Sequence, residues 1–67
     1  MSNDKANLSQ FLLSDVSTLY GGVHRYLEAI NRGDKSGMVY IRELTELKLR
    51  CVETELKLLA EMEEQNV

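Results

Sequence analysis

One short run of residues, GGVHRY at positions 21–26, combines groups that could bind an anion. Two glycines can expose backbone amides, Arg25 supplies a guanidinium, and His24 can supply a protonated imidazole. Gly21, Gly22, His24, Arg25 and Tyr26 are therefore a candidate site for a small ligand or nucleotide held between copies of the chain. A kink or break of the helix and a close contact with a partner are the alternatives, because each glycine inside a helix costs roughly 0.8–1 kcal/mol relative to alanine.

A second unusual feature is a pair of charged residues within an apolar surface. Lys48 and Glu55 lie seven residues apart among aliphatic side chains, and such charges must be paired or reach solvent. They could set register, orientation or specificity across an interface, or they could line a solvated groove between two contact faces. The predicted partner-binding residues are Phe11, Lys48, Leu49, Glu55 and Leu56.

The sequence contains no set of residues that indicates catalysis or a metal site. It has one histidine, His24, and one cysteine, Cys51, which cannot supply a four-ligand zinc site within a monomer. The histidine has no serine or cysteine at a suitable helical spacing for nucleophilic catalysis. We therefore expect a protein that is not an enzyme and uses no cofactor or metal.

Two helices are expected to position these residues. In the first, about residues 8–31, apolar residues recur at heptad steps, and in the second, about residues 38–64, the pattern resumes over a longer span. The expected apolar contact face of helix 1 consists of Leu12, Val16, Leu19, Val23, Tyr26 and Ile30. A turn at 32–37 separates the helices, with Gly33 suited to a left-handed cap and Asp34 or Ser36 suited to cap helix 2.

The apolar surface of helix 2 spans roughly 200° of its circumference, which is more than one neighbour requires. Its main stripe consists of Tyr40, Leu44, Leu47, Cys51, Leu58 and Met62. The predicted fold is all-α: a single-domain antiparallel helical hairpin that pairs as a dimer into a four-helix bundle, with the dimer contact on helix 2. One uninterrupted coiled-coil helix is the competing architecture, and Gly33 and Gly37 argue against it.

Length and charge narrow the function further. A chain of 67 residues with one cysteine and no intrachain disulfide needs another source of stability, such as oligomerisation. Residues 38–67 hold seven acidic and four basic groups within a net charge of −3, which argues against nucleic-acid binding. The sequence shows neither a signal peptide nor a membrane span, so a cytoplasmic location is expected.

In architecture the chain resembles small helical-hairpin proteins such as the Rop-type RNA-binding dimers of plasmids and the short co-chaperones of type III secretion needle subunits. This resemblance rests on length, a central turn and amphipathic periodicity, and it transfers no functional residue. The leading hypothesis is a protein-protein interaction module, acting as a regulator, inhibitor, adaptor or co-chaperone, that also forms a homodimer or higher homo-oligomer. The alternatives are an oligomer that sequesters a small ligand or nucleotide, and a Rop-like dimer that binds structured RNA through Arg25, Arg32 and Lys35.

Overall fold

The computed structural model describes residues 2–65 as a hairpin of two helices of equal length. Helix α1 spans Ser2–Arg32 and helix α2 spans Lys35–Gln65, and the two pack antiparallel in a particle about 51 Å long and 14 Å wide. Within residues 2–65 there is no β-strand. The predicted all-α helical hairpin is therefore confirmed.

Helix α1 is longer than the sequence pattern indicated and is continuous. It begins at Ser2 instead of near residue 8, and it runs through Gly21 and Gly22 without a break. A break at the glycines is thus the wrong alternative. The helical hydrogen bonds and the packing of α2 along α1 outweigh the intrinsic cost of two glycines, which is roughly 2 kcal/mol together.

The turn is only two residues long because both helix ends are capped locally. Gly33 has a φ of 69°, its amide donates to Ile30 O at 3.0 Å, and the Asp34 amide donates to Ala29 O at 3.0 Å. This is a Schellman motif, which ends α1. Asp34 Oδ1 then accepts a hydrogen bond of 2.9 Å from the Gly37 amide and begins α2. The turn expected at 32–37 is therefore shorter, since Lys35 and Ser36 are already helical.

The two helices meet along one heptad-spaced face each, which we call the hairpin interface. Its residues, half-buried or buried, recur at alternating steps of three and four, as in a coiled coil. On α1 they are Leu8, Leu12, Asp15, Leu19, Gly22, Tyr26 and Ala29, and on α2 they are Met38, Ile41, Thr45, Lys48, Val52, Glu55, Leu59 and Met62.

The contact face predicted for helix 1 is partly wrong. Val16, Val23 and Ile30 remain 44%, 47% and 44% exposed, whereas Gly22 and Ala29 face α2. Small residues allow the two backbones to approach closely, so α1 turns Gly22 and Ala29 inward and leaves Val16, Val23 and Ile30 outward. Ala29 is fully buried as a result.

Candidate functional site

The hairpin leaves a second heptad-spaced apolar face of α1 open to solvent. We call it the α1 stripe, and Leu13 and Tyr20 within it are 71% and 73% exposed. The α1 stripe consists of Leu13, Val16, Tyr20, Val23, Leu27 and Ile30. Contiguous exposed apolar surface of this length is typical of a contact with another chain.

Helix α2 carries a comparable exposed row, which we call the α2 stripe. It consists of Tyr40, Leu44, Leu47, Cys51 and Leu58, which the sequence pattern already grouped. Met62, the sixth member of the predicted group, is half-buried in the hairpin interface instead. Cys51 is a free, exposed thiol on this stripe.

The two stripes lie on opposite sides of the hairpin. In an antiparallel helix pair, a given flanking heptad position lies on the same side of the pair in both helices. The α1 stripe and the α2 stripe occupy different flanking heptad positions, so they lie on different sides. A groove confirms which residues share a side, since Thr18, Gly21 and Arg25 line it with Tyr40 and Leu44 of the α2 stripe and with no residue of the α1 stripe. The protein therefore has two separate apolar faces.

This groove is a concave feature that could hold a ligand or a side chain. It has a volume of about 340 Å³ and its lining includes Gly21, Gly22 and Arg25 from the predicted ligand site. Tyr26 is half-buried in the hairpin interface, and His24 lies on the solvent side with its ring 6.2 Å from the ring of Tyr20. The structure thus brings together three of the five predicted ligand residues.

Three charged residues meet near the middle of the hairpin interface. Lys48 Nζ donates to Asp15 Oδ1 at 3.1 Å, and these side chains are only 33% and 19% exposed. Glu55 lies one heptad along α2 from Lys48, and its buried Oε1 accepts no hydrogen bond from an N–H or O–H group of the described residues. We call these three residues the charged cluster.

The environment of the charged cluster separates the acidities of its two carboxyl groups. Hydrogen bonding with Glu55, and then with Lys48, lowers the pKa of Asp15. Hydrogen bonding with Asp15, together with burial and the negative charge of Asp15, raises the pKa of Glu55. The hydrogen bond to Asp15 also raises the pKa of Lys48. Of the two carboxyl groups, Glu55 therefore has the higher pKa and Asp15 the lower.

The structure separates the five predicted partner-binding residues. Phe11, Leu49 and Leu56 are exposed, with Phe11 at 64%. Heptad position places Leu49 and Leu56 beside the α1 stripe and Phe11 beside the α2 stripe. Lys48 and Glu55 lie instead between the two helices of one chain. Lys48 and Glu55 are therefore part of the hairpin interface.

Two residues of the site were missed from the sequence. Asp15 completes the charged cluster, and Thr45 packs against Gly22. The sequence contains a pattern that points to Asp15. This acidic residue is spaced by heptads from Gly22 and Ala29, and its negative charge is opposite to the positive charge of Lys48. A contact face predicted from small and charged residues includes both Asp15 and Thr45.

Residues 2–65 contain no group of three or more histidine, cysteine or acidic side chains that could hold a metal ion. No helix of the described chain is long and apolar enough to cross a membrane. Comparison with protein-family models, with curated protein sequences and with solved structures gave no match to this chain.

Proposed function

We propose that this protein is a small non-enzymatic interaction module that binds a partner protein through the face carrying the α2 stripe. The observation that supports the proposal is the inverted distribution of apolar residues. Ala29 and Val52 are the buried hydrophobic residues of the described chain, while most of its large aliphatic and aromatic side chains are exposed. Such a chain can bury further apolar surface by docking to other chains.

The occupant that fits the α2 side is an amphipathic helix of the partner carrying an acidic residue. Gly21 and Gly22 lower one wall of the groove, so another backbone can approach it closely. Arg25 and Lys48 are the charged residues lining the groove, and both are cationic. Arg25 forms no ion pair within the described residues, whereas Lys48 is bound to Asp15. An acidic side chain among apolar anchors would therefore meet Arg25.

Matched charge substitutions test this proposal. Leu47→Glu, in the α2 stripe, and Arg25→Glu, in the groove, are expected to abolish capture of a protein from a lysate of the source cells. Val23→Glu, the same change on the α1 stripe, is expected to retain capture. Circular dichroism checks that all three variants stay helical. Capture that survives both Leu47→Glu and Arg25→Glu would contradict the proposal.

A second measurement uses the native thiol. When the captured protein is purified and added back, alkylation of Cys51 by iodoacetamide should slow, because the partner covers the α2 stripe. An unchanged rate in the presence of saturating partner would place the contact elsewhere.

Binding of a small anionic ligand in the groove is the second candidate function. The groove volume of about 340 Å³ falls within the range of ligand pockets, roughly 300–1,000 Å³, and a guanidinium borders it. A raised melting temperature with ATP or inorganic phosphate, lost in Arg25→Ala, would support this candidate. No shift with either probe would count against it.

A further inference from the structure

We infer that the α1 stripe is the contact through which a second copy of this chain docks, with the two α1 helices antiparallel across a twofold axis at the level of residues 21 and 22 along the helix. The sequence pattern placed the dimer contact on helix 2. The structure favours α1, for reasons of spacing and charge, and the surface area indicates that one face is covered.

The accessible surface of the single chain is larger than that of a compact monomer of the same mass. It measures 5432 Å², whereas a compact monomer of 7.7 kDa is expected to expose about 4,300 Å². The excess is about 1,100 Å², and a standard interface removes about 800 Å² from each partner. One copy of the chain docked on one face therefore accounts for most of the excess.

The spacing of the α1 stripe suits self-pairing. Its six residues are arranged symmetrically about residues 21 and 22, so an antiparallel copy aligns each member with another member. In this alignment Tyr20 of each chain meets Val23 of the other, and Leu13 meets Ile30. The third layer pairs Val16 with Leu27. Each layer then combines a β-branched residue with one that is not branched at Cβ, which favours interdigitated packing.

The residues bordering the two stripes differ in charge. On its solvent side the α1 stripe is bordered by Gln10, Ser17, His24 and Asn31, none of which carries a permanent charge. The α2 stripe is bordered by Glu43, Arg50 and Lys57. A twofold contact brings identical borders near each other, so an uncharged border avoids repulsion between like charges. A charged border suits selection of a different partner.

The dimer contact on α1 rests on the proposed function in one respect, which is that it leaves the α2 stripe free for the partner protein. Its test uses the purified chain alone, so failure of the dimer and failure of partner binding are distinguishable. Sedimentation equilibrium of the native protein should give twice the chain mass of 7.7 kDa. A mass of one chain at all accessible concentrations overturns the inference.

The thiol of Cys51 identifies the face used, without any substitution. Because Cys51 lies on the opposite side from the α1 stripe, its alkylation rate should be the same in dimer and in diluted monomer. Protection of Cys51 that increases with dimer concentration overturns the inference and places the contact on α2.

Complementary charges test the antiparallel alignment. Tyr20→Glu alone and Val23→Lys alone should each lose the dimer. An equal mixture should form a heterodimer, since the carboxylate introduced at position 20 of one chain would meet the ammonium group introduced at position 23 of the other. The matched control Leu47→Glu should remain dimeric. A mixture that stays monomeric overturns the antiparallel alignment, and a Leu47→Glu chain that loses the dimer while staying helical overturns the choice of α1.

Discussion

Gly22 on α1 and Thr45 on α2 lie so close across the hairpin interface that a side chain at position 22 would displace Thr45. A Cβ there would overlap Thr45 Oγ1 and lie 3.4 Å from Thr45 Cβ. The hydroxyl is held in place because it donates to Ile41 O at 2.7 Å. Gly21, one residue earlier, has nothing within 4 Å of the corresponding position. The two adjacent glycines therefore have different roles.

Alanine substitutions should separate those roles. Gly21→Ala is expected to raise the free energy of unfolding by about 0.8–1 kcal/mol, because alanine is the better helix former and meets no obstacle. Gly22→Ala should lower it, because the helices must move apart or Thr45 must give up its hydrogen bond. Urea unfolding measures both, and adding Thr45→Ala should recover part of the loss in Gly22→Ala. Equal stabilisation by both glycine substitutions would contradict the close contact.

The charged cluster should make stability depend on pH. The pKa of Glu55 is raised above its ordinary 4.5, so its contribution is full below pH 4.5 and is lost as pH rises through the folded value. The pKa of Asp15 is lowered below 3.8, so its contribution is present above pH 3.8 and is lost as pH falls through the folded value. Thermal unfolding should therefore show the stability contributed by this pair increasing from pH 7 towards about pH 4 and decreasing below it.

Glu55→Gln provides the control for that profile. Glutamine keeps the shape and can donate to Asp15 without a proton to lose, so the variant should be more stable than the native chain at pH 7. It should also lose the stability gain between pH 7 and pH 4.5. An unchanged pH profile in Glu55→Gln would contradict the raised pKa of Glu55.

Removing the cation should shift the titration of the carboxyl pair. Lys48→Met takes away the hydrogen bond and positive charge that lower the pKa of Asp15, and a positive charge that lowers that of Glu55. Both carboxyl groups should then titrate at higher pH, as followed by carbon NMR of their side chains. Lys57→Met, on the exposed face of the same helix, is the matched control and should leave both titrations in place. Identical titrations in the two variants would contradict the contact between Lys48 and Asp15.

The turn should be sensitive at two adjacent residues for two different reasons. Gly33 has a φ of 69°, so Gly33→Ala is expected to cost about 1–2 kcal/mol of stability, while Gly33→Asn should cost less. Asp34→Ala removes the cap on the Gly37 amide and should cost about 0.5–2 kcal/mol. Chemical denaturation measures all three. A Gly33→Ala chain as stable as the native one would contradict the left-handed cap.

Helix type, helix order and the cap at Gly33 were predictable because they depend on local properties. Heptad recurrence, a glycine after the last periodic residue and an acidic cap act over a few residues, and each is visible in the sequence. Arg42 and Glu46 also follow a local rule, because opposite charges four residues apart on an exposed helix face lie close together, here 3.5 Å apart.

The rotation of α1 was not predictable in the same way. Two heptad-spaced faces overlap in this helix and share Leu12, Leu19 and Tyr26, and hydrophobic periodicity favours the more apolar one as the contact face. Hydrophobicity reports which residues are buried in the final assembly and does not say by which chain. The hairpin interface instead follows close approach at Gly22 and the pairing of Asp15 with Lys48. For the same reason, the sequence identifies Lys48 and Glu55 as a charged pair at an interface, but it does not indicate that this interface lies within one chain.

The opposite placement of the two stripes has a consequence for valency. A pair of hairpins joined through α1 would present its two α2 faces outward in opposite directions, each with its own groove. Such a particle is bivalent, so it could hold two partner molecules at a fixed separation. A partner that is itself multimeric would be bound with avidity beyond the affinity of either groove.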